Sequence, residues 1–262
     1  MFTRKPYSTD LSTLQWNKIR RLLPPAKPGG RPRSVCLREV VNAILYRLGN
    51  GCKWEDLPHD FPPNQTVYEY YNAWVKDGTW ERVHRLIAER YRREIGRVKT
   101  PSAGVIDSQS VKSANTARKT GYDAGKKVKG RKRHILTDTQ GIPQKVKAHR
   151  ADIQDRDGGK VLLKEAIPYL PRLEHLWADG AYAGQFVEWA KQQLHCTVEV
   201  VKKLAGTVGF SVLPRRWVVE RTFAWFNPYR LLDKEHETRP EASEADMYAA
   251  SLHRLLRFSG AT

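Results

Sequence analysis

AGVIDSQSV, residues 103–111, and HLWADG, residues 175–180, each run a short apolar stretch into an aspartate, Asp107 in the first and Asp179 in the second. Small, β-branched and aromatic residues in runs of this length fit strands better than helices. RHILTDTQ (133–140), QKVKAHR (144–150) and CTVEVVKK (196–203) have the same character, while segments near 157–168, 183–194, 215–230 and 242–258 carry helical spacing. The resulting order is three strands, a helix, and then strand, helix, strand, helix. That order predicts an α/β fold with a mixed sheet covered by helices, in which active groups gather at the carboxyl ends of the parallel strands.

The position of the two aspartates carries the first chemical argument. A carboxylate delivered to the end of a buried strand is costly unless a cation neutralises it. A shared metal site accounts for two such acids economically. A third acid, Glu220, lies in RRWVVERTFAW (215–225), four residues after Arg216, so both project from one face of a helix. Hard carboxylate oxygens suit Mg²⁺ or Mn²⁺, and two such ions can activate a water and stabilise a leaving oxygen in one in-line displacement. Taken singly, a strand-end Asp also reads as a turn former, and Arg216 with Glu220 as a surface ion pair.

Before residue 101 the pattern is different. LSTLQWNKIRRLL (11–23), LREVVNAILYRLGNG (37–51), TVYEYYNAWVKDG (66–78) and WERVHRLIAERYRREIG (80–96) each carry an apolar helical face, separated by Pro and Gly. Helix, tight turn and helix is the layout of a helix-turn-helix unit, and equally of a small structural bundle. Two domains follow, a helical one over about 1–97 and an α/β one over about 101–262.

Charge points to the partner. The chain has 46 Lys and Arg against 28 Asp and Glu, a formal charge of +18. Such an excess opposes compaction and suits a polyanion. It is densest in RKTGYDAGKKVKGRKRH (118–134), where Arg118, Lys119, Lys126, Lys127, Lys129, Arg131, Lys132 and Arg133 face one acid, Asp123. With Gly121, Gly125 and Gly130 this run reads as a hairpin gripping a DNA duplex, the plainer alternative being a solvated loop. Membrane spans are excluded by the lack of any long apolar run, the first residues have no secretory pattern, and Cys36, Cys52 and Cys196 fit neither a zinc site nor a disulfide framework. A cytoplasmic location is expected. His134 and His149 read as structural groups or phosphate contacts, Asp155 and Asp157 as the first turn of a helix, and Trp225, Phe226 and Tyr229 as core or base-stacking groups.

These strings carry a resemblance. GVIDSQSVK, GKKVKGRKRH, DIQDRDG, WADGAY and RRWVVERTFAWFNPYR make the chain similar, over nearly its whole length, to bacterial insertion-sequence transposases of the DDE type, and closely to those of insertion-sequence family five. The resemblance implies a ribonuclease H-like catalytic domain with Asp107 as first-strand acid, Asp179 as fourth-strand acid and Glu220 as helical acid. It implies two Mg²⁺ or Mn²⁺ ions and double-stranded DNA as partner, namely element terminal repeats and target, in the bacterial nucleoid. Joining two ends implies a homodimer or larger synaptic complex. It also implies a Tyr, Arg and Glu signature with a later Lys. Arg216 and Glu220 keep that spacing, whereas Leu213 stands at the Tyr and Asn227 at the Lys, which leaves Arg215, Arg221 and Arg230 as substitute phosphate contacts. A ribonuclease H-like nuclease that does not join strands, such as a junction resolvase, and a non-catalytic DNA-binding descendant are the alternatives.

Overall fold

The computed structural model describes residues 4–26, 29, 33–201 and 215–258. They group into two compact units, one from Met1–Gly96, Pro228–Asp233 and Ala245–Thr262, the other from Arg97–Asn227 and Lys234–Glu244. The division falls just before Pro101, where the periodicity changes. Two stretches expected in the second domain, 228–233 and 245–262, group instead with the helices.

The first unit holds α1 (Thr13–Ile19), α2 (Leu37–Asn50), α3 (Asn64–Lys76) and α4 (Thr79–Glu94). A capping box formed by Ser12 and Gln15 starts α1. The tight turn of the unit lies between α3 and α4, where Gly78 takes a left-handed conformation with φ 69° that a side chain would resist. The apolar faces of these helices are completed late in the chain. From the last helix, Pro240–Phe258, the residues Met247, Tyr248, Leu252, Leu255 and Leu256 are buried. Tyr71 donates its hydroxyl to Asp246 at 2.8 Å, and His84 Nε2 meets Ser251 Oγ at 2.9 Å, all four groups being buried. Local periodicity marks that helix as amphipathic but is silent on its partner. A fragment ending at Arg97 would expose this core and strand polar groups. It is expected to lack a cooperative thermal transition by circular dichroism, while the full chain shows one; a sharp transition in the fragment would show that the bundle closes without residues 245–258.

The second unit is a six-stranded mixed sheet with flanking helices. Its elements are β1 (Ala103–Lys112), β2 (Gly121–Asp123), β3 (Val128–Asp138), β4 (Pro143–Arg150), α5 (Asp155–Ala166), β5 (His175–Ala178), α6 (Gln185–Leu194), β6 (Thr197–Val200) and α7 (Trp217–Ala224). β3 runs antiparallel to β1, β2 and β4, while β1, β5 and β6 are parallel neighbours. The short strand β2 has no sequence signature, since three residues are too few to show alternation. α7 is shorter than the helix expected over 215–230, ending at Ala224, and the expected strand end at 202–203 lies outside the described residues. One core packs Ile106 and Leu136 of the sheet against Leu162 and Leu163 of α5 and against Tyr182 and Phe186. No helix among the described residues is long and apolar enough to cross a membrane.

Candidate active site

β1 pairs with β5 from Ala103↔His175 to Val105↔Trp177; β5 then ends at Ala178, while β1 runs on to Lys112. Asp107 lies two residues beyond that last pair, and Asp179 directly follows β5. Asp107 therefore sits in the middle of β1 and not at its end as expected, beside the carboxyl end of β5 that delivers Asp179. Asp179 also caps a single 3₁₀ turn, its Oδ1 accepting from the Ala181 N–H at 2.8 Å. Glu220 and Arg216 come from the start of α7, on one face by their i, i+4 spacing.

Arg216 occupies the middle of this arrangement. Its Nη2 is 3.9 Å from Asp107 Oδ2, 4.0 Å from Asp179 Oδ2 and 3.6 Å from Glu220 Oε1. No two of those oxygens can then be further apart than twice 4.0 Å. All three contacts are long for a hydrogen bond, so the guanidinium screens the acids without saturating them. Among the described residues no three His, Cys, Asp or Glu side chains are close enough together to chelate an ion as they stand. The donor set nonetheless fits a hard divalent cation. It is all carboxylate oxygen, the side chain of Glu220 is 48% exposed and free to adjust, and the cation at the centre of the acids is a movable side chain. Burial pushes the Asp107 carboxyl up to about 6; the Ser108 N–H, 2.7 Å from Asp107 Oδ1, opposes the shift, the Asp179 charge adds to it, and Arg216 and Lys126 offset part of it. A desolvated carboxylate of this kind lacks a full counter-charge.

The basic run divides in two. Arg118, Lys119, Lys126, Lys127 and Lys129 are exposed, and Lys126 and Lys127 sit in the turn between β2 and β3. Arg131, Lys132 and Arg133, expected on a DNA clamp, are instead buried, at 0%, 4% and 3% exposure. The reason is topological. β3 is flanked by β1, β2 and β4, and a charge on such a strand needs an internal partner. Arg131 and Arg133 share Glu235, while Lys132 reaches Asp123 at 3.3 Å and Asp155 at 3.0 Å.

The other arginines near the third acid also have defined surroundings. Arg215 lies over the Trp177 ring at 5.3 Å. Arg221 is held between Trp217 and Trp225, at 4.4 and 4.9 Å, and donates to the Gln140 carbonyl. Arg230 and Tyr229 belong to the helical unit, where the Tyr229 hydroxyl donates to Ala250 O. Phe226 is buried, Asn227 is exposed, and Leu213 lies outside the described residues. His134 and His149 form a hydrogen-bonded pair, Nδ1 to Nε2 at 2.8 Å; burial lowers both, His134 to about 3.

Sequence reasoning missed a second polar layer behind Asp107. Ser108 Oγ donates to Asp155 Oδ1 at 2.7 Å, and Ser110 Oγ donates to Asp123 Oδ2 at 2.6 Å. The available signal was the alternation Asp107, Ser108, Gln109, Ser110, which puts two hydroxyls on the face opposite the acid.

Asp107 within β1, Asp179 at the end of the neighbouring β5 and Glu220 on α7 thus face Arg216 on a mixed sheet with flanking helices, the fold of a ribonuclease H-like domain. The family model "Transposase DDE domain" matches residues 99–255, and the chain belongs to that family. A second model, "Putative transposase of IS4/5 family", matches residues 11–84. Among curated relatives, the "Insertion element IS402 uncharacterized 16.2 kDa protein" of Burkholderia cepacia is 31% identical over 114 residues, covering 40% of this chain and 75% of the relative. The "Uncharacterized protein y4sN" of Sinorhizobium fredii (strain NBRC 101917 / NGR234) is 27% identical over 74 residues, or 28% of this chain and 59% of that protein. No solved structure matches. DDE transposase domains generally use divalent metal ions, and their substrate is DNA.

Proposed function

We propose that the chain binds the ends of an insertion sequence, cleaves them, and joins the freed 3′ hydroxyl to target DNA. The observation that carries this reading is the convergence of Asp107, Asp179 and Glu220 on Arg216. In it, Asp107, Asp179 and Glu220 would hold two Mg²⁺ ions, with Mn²⁺ as an alternative. Bound there, the ions supply Lewis-acid activation of the attacking hydroxyl and stabilisation of the leaving oxygen. The protein does the rest by positioning. Arg216 keeps the three acids from repelling one another before loading and is placed to meet a phosphate oxygen afterwards. No side chain is needed as a covalent nucleophile, because water attacks first and the DNA 3′ hydroxyl second.

Phosphates are met by the exposed cations Lys127 and Lys129, with Arg215 and Arg216 beside the acids, whereas the Lys126 ammonium is turned back onto Ser108. The helical unit supplies sequence preference, and two chains or more synapse the two element ends, acting on nucleoid DNA in the cytoplasm. The full chain with Mg²⁺ and the DNA flanking its reading frame should yield cuts at the element ends and strand-transfer products on a gel. Cuts without transfer would favour a resolvase, and binding without cuts a non-catalytic descendant. Replacing Lys127 and Lys129 with Gln should weaken binding to any duplex alike and lower the slope of log K against log salt by about 0.9 for each phosphate that is no longer neutralised. An unchanged slope would mean that these lysines stay solvated.

A further inference from the structure

Behind Asp107, on the opposite face of β1, lies a polar layer to which DNA cleavage assigns nothing. Its centre is Asp155, the first residue of α5. Asp155 Oδ1 accepts from Ser108 Oγ at 2.7 Å and from Lys132 Nζ at 3.0 Å. Lys126, reaching back from the β2–β3 turn, donates Nζ to the Ser108 carbonyl at 3.1 Å and to its hydroxyl at 3.3 Å. Ser108 is thus gripped by an acid and an ammonium, and its own N–H holds Asp107 Oδ1 at 2.7 Å.

An acid in the first turn of a helix needs no special purpose, since the helix dipole favours it. Three features go beyond that. The Asp155 side chain is turned inward, 16% exposed, onto a strand rather than out to water. The helix carries consecutive glycines, Gly158 and Gly159, each of which costs helix stability. A Cβ on Gly158 would run into His149 and His134, and one on Gly159 would come within 2.7 Å of the Tyr182 ring. Two small residues in succession let the start of α5 press onto the sheet, which is what brings the Asp155 carboxylate to Ser108. The charge is balanced as well, because Lys132 bridges Asp155 to Asp123.

We infer that Asp155 and Ser108 are positioning residues of the metal site: Asp155 fixes Ser108, and Ser108 fixes the Asp107 carboxylate in the orientation that receives the ion. This rests on the proposed role of Asp107. Outer partners of this kind commonly change metal affinity or activity by 10–100-fold when removed.

The experiment measures Mn²⁺ binding to the full chain without DNA, from the electron paramagnetic resonance signal of free Mn²⁺, alongside thermal melting and cleavage of element-end DNA. Ser108→Ala and Asp155→Asn should each raise the Mn²⁺ concentration at half-saturation by about tenfold or more. Cleavage by both should recover in excess Mn²⁺, and Ser108→Thr, which keeps the hydroxyl, should bind near the wild-type midpoint. A role confined to folding would lower melting and leave the Mn²⁺ midpoint unmoved, which would overturn the inference. If Asp155→Asn does not fold, Ser108→Ala decides alone. Asp107→Asn separates the two levels: full Mn²⁺ binding and cleavage in that variant would sink the site reading itself, whereas its loss beside an unmoved Ser108→Ala midpoint would sink the positioning role only.

Discussion

Asp107→Asn is expected to abolish DNA cleavage and yet to melt at a higher temperature than the wild-type chain when no metal is present. The first half follows from the ligand role, since an amide offers one neutral oxygen where an ionised carboxylate is needed. Asp179→Asn and Glu220→Gln should share it, with DNA binding spared in all three. The second half follows from electrostatics. Burial lifts the folded-state carboxyl to about 6 from an ordinary value near 3.8. A carboxyl raised on folding gives its full contribution to stability below the unfolded value, and that contribution is lost as pH rises through the folded one. At pH 7 the whole penalty is present, on the order of 2–3 kcal/mol, and the amide escapes it. The difference in melting temperature between variant and wild type should therefore shrink as pH falls from 7 to 4. Metal affinity should move the opposite way, falling by up to about tenfold per unit below pH 6, because each ion bound must then displace a proton. A variant that melts lower than wild type at pH 7 would mean that Arg216 already compensates Asp107 in full.

Why this acid was legible in the sequence, and others were not, comes down to range. Asp107 and Asp179 announce themselves locally, each at the end of a few apolar residues whose natural home is the sheet interior. Glu220 needs only its spacing from Arg216. The role of Asp155 depends on a serine 47 residues away and on two glycines whose cost is visible only once the helix is seen against His134 and Tyr182. The same limit explains the basic run. Along the sequence Arg131, Lys132 and Arg133 are indistinguishable from Lys126, Lys127 and Lys129. What separates them is that β3 has neighbours on both edges, and that Glu235 lies 104 residues from Arg131. Charge density read as an electrostatic footprint counts every cation alike; burial decides which of them can meet a phosphate.

The buried cations give the largest expected effect on stability. Glu235 is fully buried and forms ion pairs with both Arg131, at 3.1 Å, and Arg133. It also accepts from Ser243 Oγ at 2.8 Å, and its main chain is tied on both sides, the N–H to Lys112 O and the carbonyl to the Ala114 N–H. The segment after Asp233 thus extends the edge of β1 and carries a single carboxylate into a pocket holding two guanidinium groups. Replacing Glu235 with Gln keeps the shape and removes the carboxylate that both buried guanidinium groups share. Removing one partner of a buried ion pair typically costs about 3–5 kcal/mol, and here one residue serves two pairs, so Glu235→Gln should lose at least that much in urea denaturation, or fail to fold at 37 °C. The companion experiment separates charge from packing. If the cost is uncompensated charge, then Glu235→Gln combined with Arg131→Met and Arg133→Met should recover much of the loss, since apolar side chains of similar volume replace buried ion pairs at little or no cost. Should Glu235→Gln stay within about 1 kcal/mol of wild type, the range of an ordinary hydrogen bond, the two arginines must find water or other acceptors once Glu235 is gone, and their place in the interior would be a matter of packing and not of charge.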